Sequence, residues 1–328
     1  MRPVFQTMLA SSFILALSGM AQAEITLSGD ARMGIEQSLF SDDVSFTSRA
    51  RVRFDMSGET DNGLSFGARV LMNEAELAVP GEFRPWVAGR VYISGPFGML
   101  SMGDTDSAAE AAVGSVSAIS LTGLGDNHET TFYQSSVGAA WGPSVLYEYY
   151  GSGWAVFASA TGEIYYNGLS QNERNLSLGG RYVIDGLTVA LGVEQVSSDP
   201  RPSTLNVVAS VTYDIGEFSA KAVYGQKEDW NVRYDFDPPC TPYCTNFSVT
   251  PYEHYYFSLD WERGPLAVAV FYARQPDDTN GPNSRYYGIG AAYDLGGGAG
   301  LTGGIVRENS PFAGNDQTAY DFGVTMSF

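Results

Sequence analysis

From Glu24 onward the chain repeats one unit: about ten residues of alternating apolar and polar side chains, then a connection, with short and long connections taking turns. A β-strand sends successive side chains to opposite faces, so each unit reads as a strand with one apolar and one polar side. The count is sixteen strands, eight long connections and seven short turns. An even number of two-faced strands joined in this way predicts an all-β fold, a 16-stranded antiparallel transmembrane β-barrel. The short turns then lie on the periplasmic side with both termini, and the long loops lie outside.

The short turns are marked by glycine, proline and Asx residues at Gly58 to Gly63, Gly95 to Gly98, Gly151 to Gly153, Ile184 to Gly186, Asp214 to Gly216, Arg263 to Pro265 and Asp294 to Gly300. Long connections are expected at Ser38 to Val44, Asn73 to Phe83, Asp104 to Pro143, Gly162 to Glu173, Val196 to Ser203, Lys227 to Pro251, Arg274 to Asn283 and Glu308 to Gln317. The third is the longest and is rich in Ala, Ser and Gly. A structureless segment of that length argues against a compact fold unless it is functional. Folded inward to narrow the lumen, it accounts for both its length and its small side chains, with a short helical turn at Ala108 to Val113.

Aromatic residues gather where strands meet connections, among them Tyr149, Trp154, Tyr182, Tyr213, Tyr256, Tyr286 and Tyr293. Such rings suit a membrane girdle. The last strand, Tyr320 to Phe328, alternates to the end and stops on a bare phenylalanine.

Residues 1–23 read as an export signal, with Arg2 at the start, an apolar stretch from Met8 to Met20 and an Ala21-Gln22-Ala23 cleavage site. Residues 24–328 are then the barrel domain, and no later stretch is apolar for long enough to span a bilayer as a helix. The formal charge of −19 excludes a general nucleic-acid binder. Positive charge is localised: seven arginines fall between Arg32 and Arg90, and the only lysines are Lys221 and Lys227. Within Thr47 to Ser57, Arg49, Arg51, Arg53 and Asp55 share one strand face, while Ala50, Val52, Phe54 and Met56 share the other. In a barrel the first face lines the lumen and the second meets lipid.

Cys240 and Cys244 are expected to form a local disulfide in an oxidising compartment. The acid pairs Asp42 with Asp43, Asp235 with Asp237 and Asp277 with Asp278 offer oxygen ligands of the kind calcium takes, although no spacing matches a known calcium loop. A hydrolytic barrel would need a nucleophile and a positioned base; the only histidines, His128 and His254, are far apart in sequence. An adhesin or structural barrel would draw on the Lys227 to Pro251 segment.

The sequence resembles the Rhodobacter-type porins of alphaproteobacteria in Leu27 to Gly34, Ser48 to Val52 with Met56 to Gly58, Phe97 to Asp104, Gly288 to Ala299 and the terminal Phe328. The resemblance implies an outer-membrane homotrimer amid lipid and lipopolysaccharide, passing ions and small hydrophilic solutes and requiring no cofactor. It also implies calcium bound among loop carboxylates, with Asp104 and Asp106 as candidate ligands. Carried over by position, the family's pore eyelet has a basic wall of Arg32, Arg49, Arg51, Arg53 and Arg69, opposed by Asp104, Asp106 and Glu110 of the third loop. Here the loop's middle, Ser115 to Gly123, contains no acid, which implies a weaker field across the eyelet. A substrate-selective channel is the alternative.

Overall fold

Every large strand pairs antiparallel with its chain neighbours and the last pairs with the first, so the sheet closes into a barrel of sixteen strands. The structure is a computed structural model. It describes residues 23–328 except 40–42, 74–88, 117, 125–131, 134–143, 163–164, 167–168, 171–172, 199–200, 236–243, 277–282 and 310–315. In several strand segments, 229–235 and 244–250 among them, it describes the backbone alone.

The first part of the wall comprises β1 (Glu24–Gln37), β2 (Ser45–Glu59), β3 (Ser65–Asn73), β4 (Gly89–Gly95) and β5 (Gly98–Gly103). The third long connection follows, with helix α1 (Ala108–Val113), and then β6 (Ser144–Tyr150) and β7 (Trp154–Thr161). A small hairpin, β8 (Tyr165–Tyr166) and β9 (Leu169–Ser170), stands apart from the barrel. The remaining wall is β10 (Glu173–Ile184), β11 (Leu187–Ser198), β12 (Arg201–Ile215), β13 (Phe218–Asp235), β14 (Cys244–Arg263), β15 (Leu266–Pro276), β16 (Asn283–Gly296), β17 (Ala299–Asn309) and β18 (Gln317–Ser327). Closure runs to the last residue, where the amide of Phe328 donates to the Gly29 carbonyl at 2.9 Å and the Gly29 amide donates back at 3.2 Å.

The turns expected from the sequence connect the strands as anticipated. At Asp185–Gly186 both residues have positive φ (47° and 81°), the conformation that tight two-residue hairpins require. Large apolar side chains such as Ile25, Leu27, Met33, Val52, Val91 and Leu191 are exposed on the outer face. Polar and charged residues alternate with them inward. On a water-soluble protein such a surface would drive aggregation, whereas on a barrel it is the lipid-facing band.

Two expected connections are shorter than the sequence implied. β11 runs to Ser198 and β12 resumes at Arg201, and the Lys227 to Pro251 stretch is largely strand, with β13 reaching Asp235 and β14 beginning at Cys244. Where a wall rises above the hydrocarbon layer both of its faces meet water. The apolar alternation that marks a strand then fades while the backbone ladder continues.

Three tyrosines expected in the girdle point the other way, among them Tyr150, whose hydroxyl donates to the inward Glu148. Tyr256 is buried inside the barrel, and Tyr286 faces the lumen, where its hydroxyl donates to Glu308 at 2.8 Å. A strand with tyrosines at adjacent positions, as at Tyr255–Tyr256 and Tyr286–Tyr287, must send one of each pair inward. Trp86, His128, Cys240, Asp42, Asp237, Asp277 and Asp278 lie outside the described residues, so the disulfide does too, and of Asp235 only the backbone is described.

Candidate functional site

Six arginines line adjacent inner faces: Arg32 on β1, Arg49, Arg51 and Arg53 on β2, Arg69 on β3 and Arg90 on β4. Pairing register places Arg32 opposite Arg49, Asp30 opposite Arg51, and Arg69 opposite both Asp55 and Arg90. Asp30 takes two of the guanidiniums, Arg49 at 3.3 Å and Arg51 at 3.0 Å, while Asp55 takes Arg69 at 2.6 Å. These wall arginines therefore find their carboxylates on the wall itself. Arg32 is used differently, donating to the Leu121 carbonyl of the third loop at 2.7 Å.

The loop is held by its backbone. Six residues are too few for a helix to be stable alone, so α1 depends on what it packs against. Ser107 caps its start, with Oγ accepting from the Glu110 amide at 3.1 Å. Two more free amides, of Ala108 and Ala109, donate to Ser159 on β7 (2.8 Å) and Ser177 on β10 (2.9 Å). At the other end the Lys221 ammonium from β13 donates to the carbonyls of Val113, Gly114 and Ser115 at 2.9, 3.0 and 2.6 Å. A cation at a helix C-terminus meets both the unpaired carbonyls and the negative end of the dipole.

Beneath the loop lie three cross-strand glycine pairs: Gly179 with Gly192, Gly290 with Gly304, and Gly34 with Gly323. A Cβ on Gly179 would come within 2.1 Å of the Ala108 carbonyl oxygen, and one on Gly192 within 2.5 Å of the Ala109 Cβ. On Gly290 it would lie 1.7 Å from the Ile119 carbonyl oxygen, and on Gly34 or Gly323 it would strike Leu121. The loop thus rests in a track that only glycine leaves open. Its acid-free middle is seated on this track, and Thr122 ends it by donating through both amide and hydroxyl to Asp321 at 2.7 Å.

The returning limb packs in an apolar cluster: Phe132 and Tyr133 meet Val113, Val116, Tyr256, Phe271 and Val306. Each such buried side chain contributes roughly 1.5–3 kcal/mol. Asn206 donates to the Phe132 carbonyl, and the Phe132 ring meets the buried His254 edge-on at 4.5 Å. His254 is therefore sealed from any solute in the lumen.

Of the three loop acids, Glu110 sits in the first turn of α1. Asp104 and Asp106 precede the helix, and the nearby cation they sense is Arg90, which the sequence reading had not placed in the site. Both keep an edge on the lumen. Removal of solvent by the surrounding wall nevertheless pushes both carboxyls above the usual aspartate range, with Arg90 pulling the other way and, for Asp106, Asp104 and Glu148 adding to the rise. As pH falls from neutral they take up protons before an ordinary surface carboxylate does, leaving Arg90 unopposed. The chloride-to-potassium permeability ratio is expected to rise over that interval in planar bilayers. D104N/D106N should abolish the rise, and a pH-independent ratio in the wild type would contradict it. Among the described residues no three His, Cys, Asp or Glu side chains gather as metal ligands, and the charge of Arg90 beside Asp104 and Asp106 opposes calcium there.

A closed sheet with an apolar outside, a charged lumen and a loop seated within it defines a membrane-spanning barrel of the channel type. A family model described as Gram-negative porin matches residues 10–326. A porin of Rhodobacter capsulatus is 32% identical over 312 residues, covering 93% of this chain and 100% of that protein. Among solved structures, a porin refined at 1.8 Å resolution superposes with a TM-score of 0.77 at 30% identity, covering 93% and 100% of the two chains. OmpT of Vibrio cholerae lacking its loop L8 shares the fold at 14% identity, with a TM-score of 0.66 and coverage of 93% and 99%. The chain belongs to the Gram-negative porin family. It is an outer-membrane porin, a β-barrel embedded in the membrane that lets solutes pass.

Proposed function

We propose that the arginine wall and the seated third loop form the constriction of a water-filled diffusion channel for ions and small hydrophilic solutes. Arg49, Arg51 and Arg53 supply the positive side, with Arg32 and Arg69 beside them. Asp104, Asp106 and Glu110 supply the negative side at the loop's start. Charges of opposite sign on different sides of a narrow aqueous passage set up a transverse field, which orients dipolar solutes and separates the paths of cations and anions. The observation that carries this reading is three lumen-facing arginines at alternate positions of one strand, only two of which, Arg49 and Arg51, share Asp30. Replacing all three with glutamine should shift the reversal potential in a salt gradient toward cations. An unchanged potential would remove them from the constriction.

The wider assignment follows from membership of a family whose relatives are channels. The chain is not an enzyme, and His254, the one described histidine, lies sealed under Phe132. It assembles as a homotrimer in contact with lipid and lipopolysaccharide, which cross-linking in native membranes tests. Residues 1–23 are removed on export, as N-terminal sequencing of the mature protein would read. Passage needs no cofactor. A structural calcium ion would draw on loop carboxylates, Asp104 and Asp106 among the candidates, and thermal stability unaffected by EDTA would count against one.

A further inference from the structure

The arginine wall carries more charge than it neutralises. Among the described residues the six guanidiniums form ion pairs with two wall carboxylates, Asp30 and Asp55, and these engage only Arg49, Arg51 and Arg69. Arg32 is tied to a loop carbonyl. Arg53 and Arg90 take part in no ion pair and no hydrogen bond among the described residues, and the Nε of Arg53 is shielded from water yet has no acceptor.

Acids elsewhere on the inner wall do not restore the balance where a solute would feel it. Glu194 is 0% exposed and accepts from Asn206, and Asp321 is 3% exposed and holds Thr122 and the Gly304 amide. Glu148 and Glu308, each 8% exposed, accept from the hydroxyls of Tyr150 and Tyr286. Each is covered and already serves as an acceptor. The open acids at the loop's start, Asp104 and Asp106, sense Arg90 without forming an ion pair with it and lie on the side away from Arg53.

The two unpaired arginines stand on either side of β3. Arg90 is directly opposite Arg69, and Arg53 is opposite Leu71, two residues along from Arg69. With neighbouring strands about 4.8 Å apart, β2 and β4 are separated by roughly 10 Å, a gap that two long side chains can close around a small anion. Guanidiniums present forked donors that match carboxylate and phosphate oxygens. Both side chains meet lumen water, so an anion held between them is held loosely enough to leave, as conduction requires.

We propose that Arg53 and Arg90 form an oxyanion step in the lumen, flanking the Arg69–Asp55 pair, so that the channel favours phosphate- and carboxylate-bearing solutes over cations. This rests on the reading of the arginine wall as the constriction of an open channel and narrows it to a solute class. Neither residue holds an ion pair or a hydrogen bond among the described residues, and the carboxylates that sense Arg90 keep an edge on lumen water, so R53Q and R90Q, singly and together, should leave the barrel intact.

The test is the reversal potential in a potassium chloride gradient, followed by titration of the chloride current with inorganic phosphate, on the full-length mature protein in planar bilayers. The wild type should prefer chloride, and phosphate should depress the chloride current saturably. R53Q/R90Q should still conduct and lose the chloride preference, and the half-inhibiting phosphate concentration should rise about tenfold or more, as expected when charge-assisted hydrogen bonds are removed. A potassium-preferring wild type, or phosphate inhibition unchanged in R53Q/R90Q, would overturn the anion step and leave the channel standing. A wild type that inserts but carries no current would overturn the channel reading and the anion step with it.

Discussion

Replacing Gly290 with leucine is expected to lower single-channel conductance by about half or more, because the loop it displaces has only the lumen to move into. The ideal Cβ position at Gly290 lies 1.7 Å from the Ile119 carbonyl oxygen, a separation no relaxation of one side chain can absorb. Backbone must shift instead. Overpacking of this kind costs about 1–3 kcal/mol, well short of what unfolds a closed sheet, so the barrel should form with its loop raised. Gly179→Val should act likewise under α1, where the Ala108 carbonyl oxygen would be 2.1 Å from the new Cβ. The matched control is Gly180→Val, one residue along on the outer face, where a Cβ would meet nothing nearer than the Ala155 carbonyl oxygen at 3.7 Å. Wild-type conductance in Gly290→Leu would show that the loop is not seated as described.

The second large effect is expected from Lys221→Met. Lys221 gathers three carbonyls at the end of α1, and methionine fills similar space without a donor. Hydrogen bonds involving a charged group contribute about 1.5–3 kcal/mol each at most, and the carbonyls left behind lie in a partly enclosed site. The loop should then fluctuate between seated and raised positions. Open-channel current noise should increase, and a steady conductance should give way to flicker. A quiet channel of wild-type conductance would mean that serine contacts and glycine packing hold the helix without the lysine.

The two kinds of information in the chain differ in range. Alternation and turn residues are local signals, and they were enough to place β1 to β5, the seven short turns and the shared side of both termini. The lumen face of Arg49, Arg51 and Arg53 followed from parity alone. Local signals failed where the local environment ceased to be two-sided, as in the upper parts of β13 and β14, whose polar residues read as loop.

The seat of the third loop was hidden for a different reason. Its contacts join residues 68, 108 and 199 positions apart, so no spacing rule reports them. Two marks were present all the same. Ser107 and Glu110 have the spacing of a capping box just before the short helix. Glycines inside strands, on the inward parity, signal close approach of another backbone. The arginine wall shows the limit from the other side: the sequence located its cations, but its partners Asp30 and Asp55 were assigned only once the register of β1, β2 and β3 was known.

The most direct test of an open channel narrowed by an inward loop is the size limit for neutral sugars in liposome swelling, measured for the wild type and for a variant with residues 108–122 excised. Both should admit a monosaccharide, and only the excised variant should admit larger oligosaccharides at a comparable rate. Equal size limits, or wild-type liposomes that do not swell at all, would contradict it.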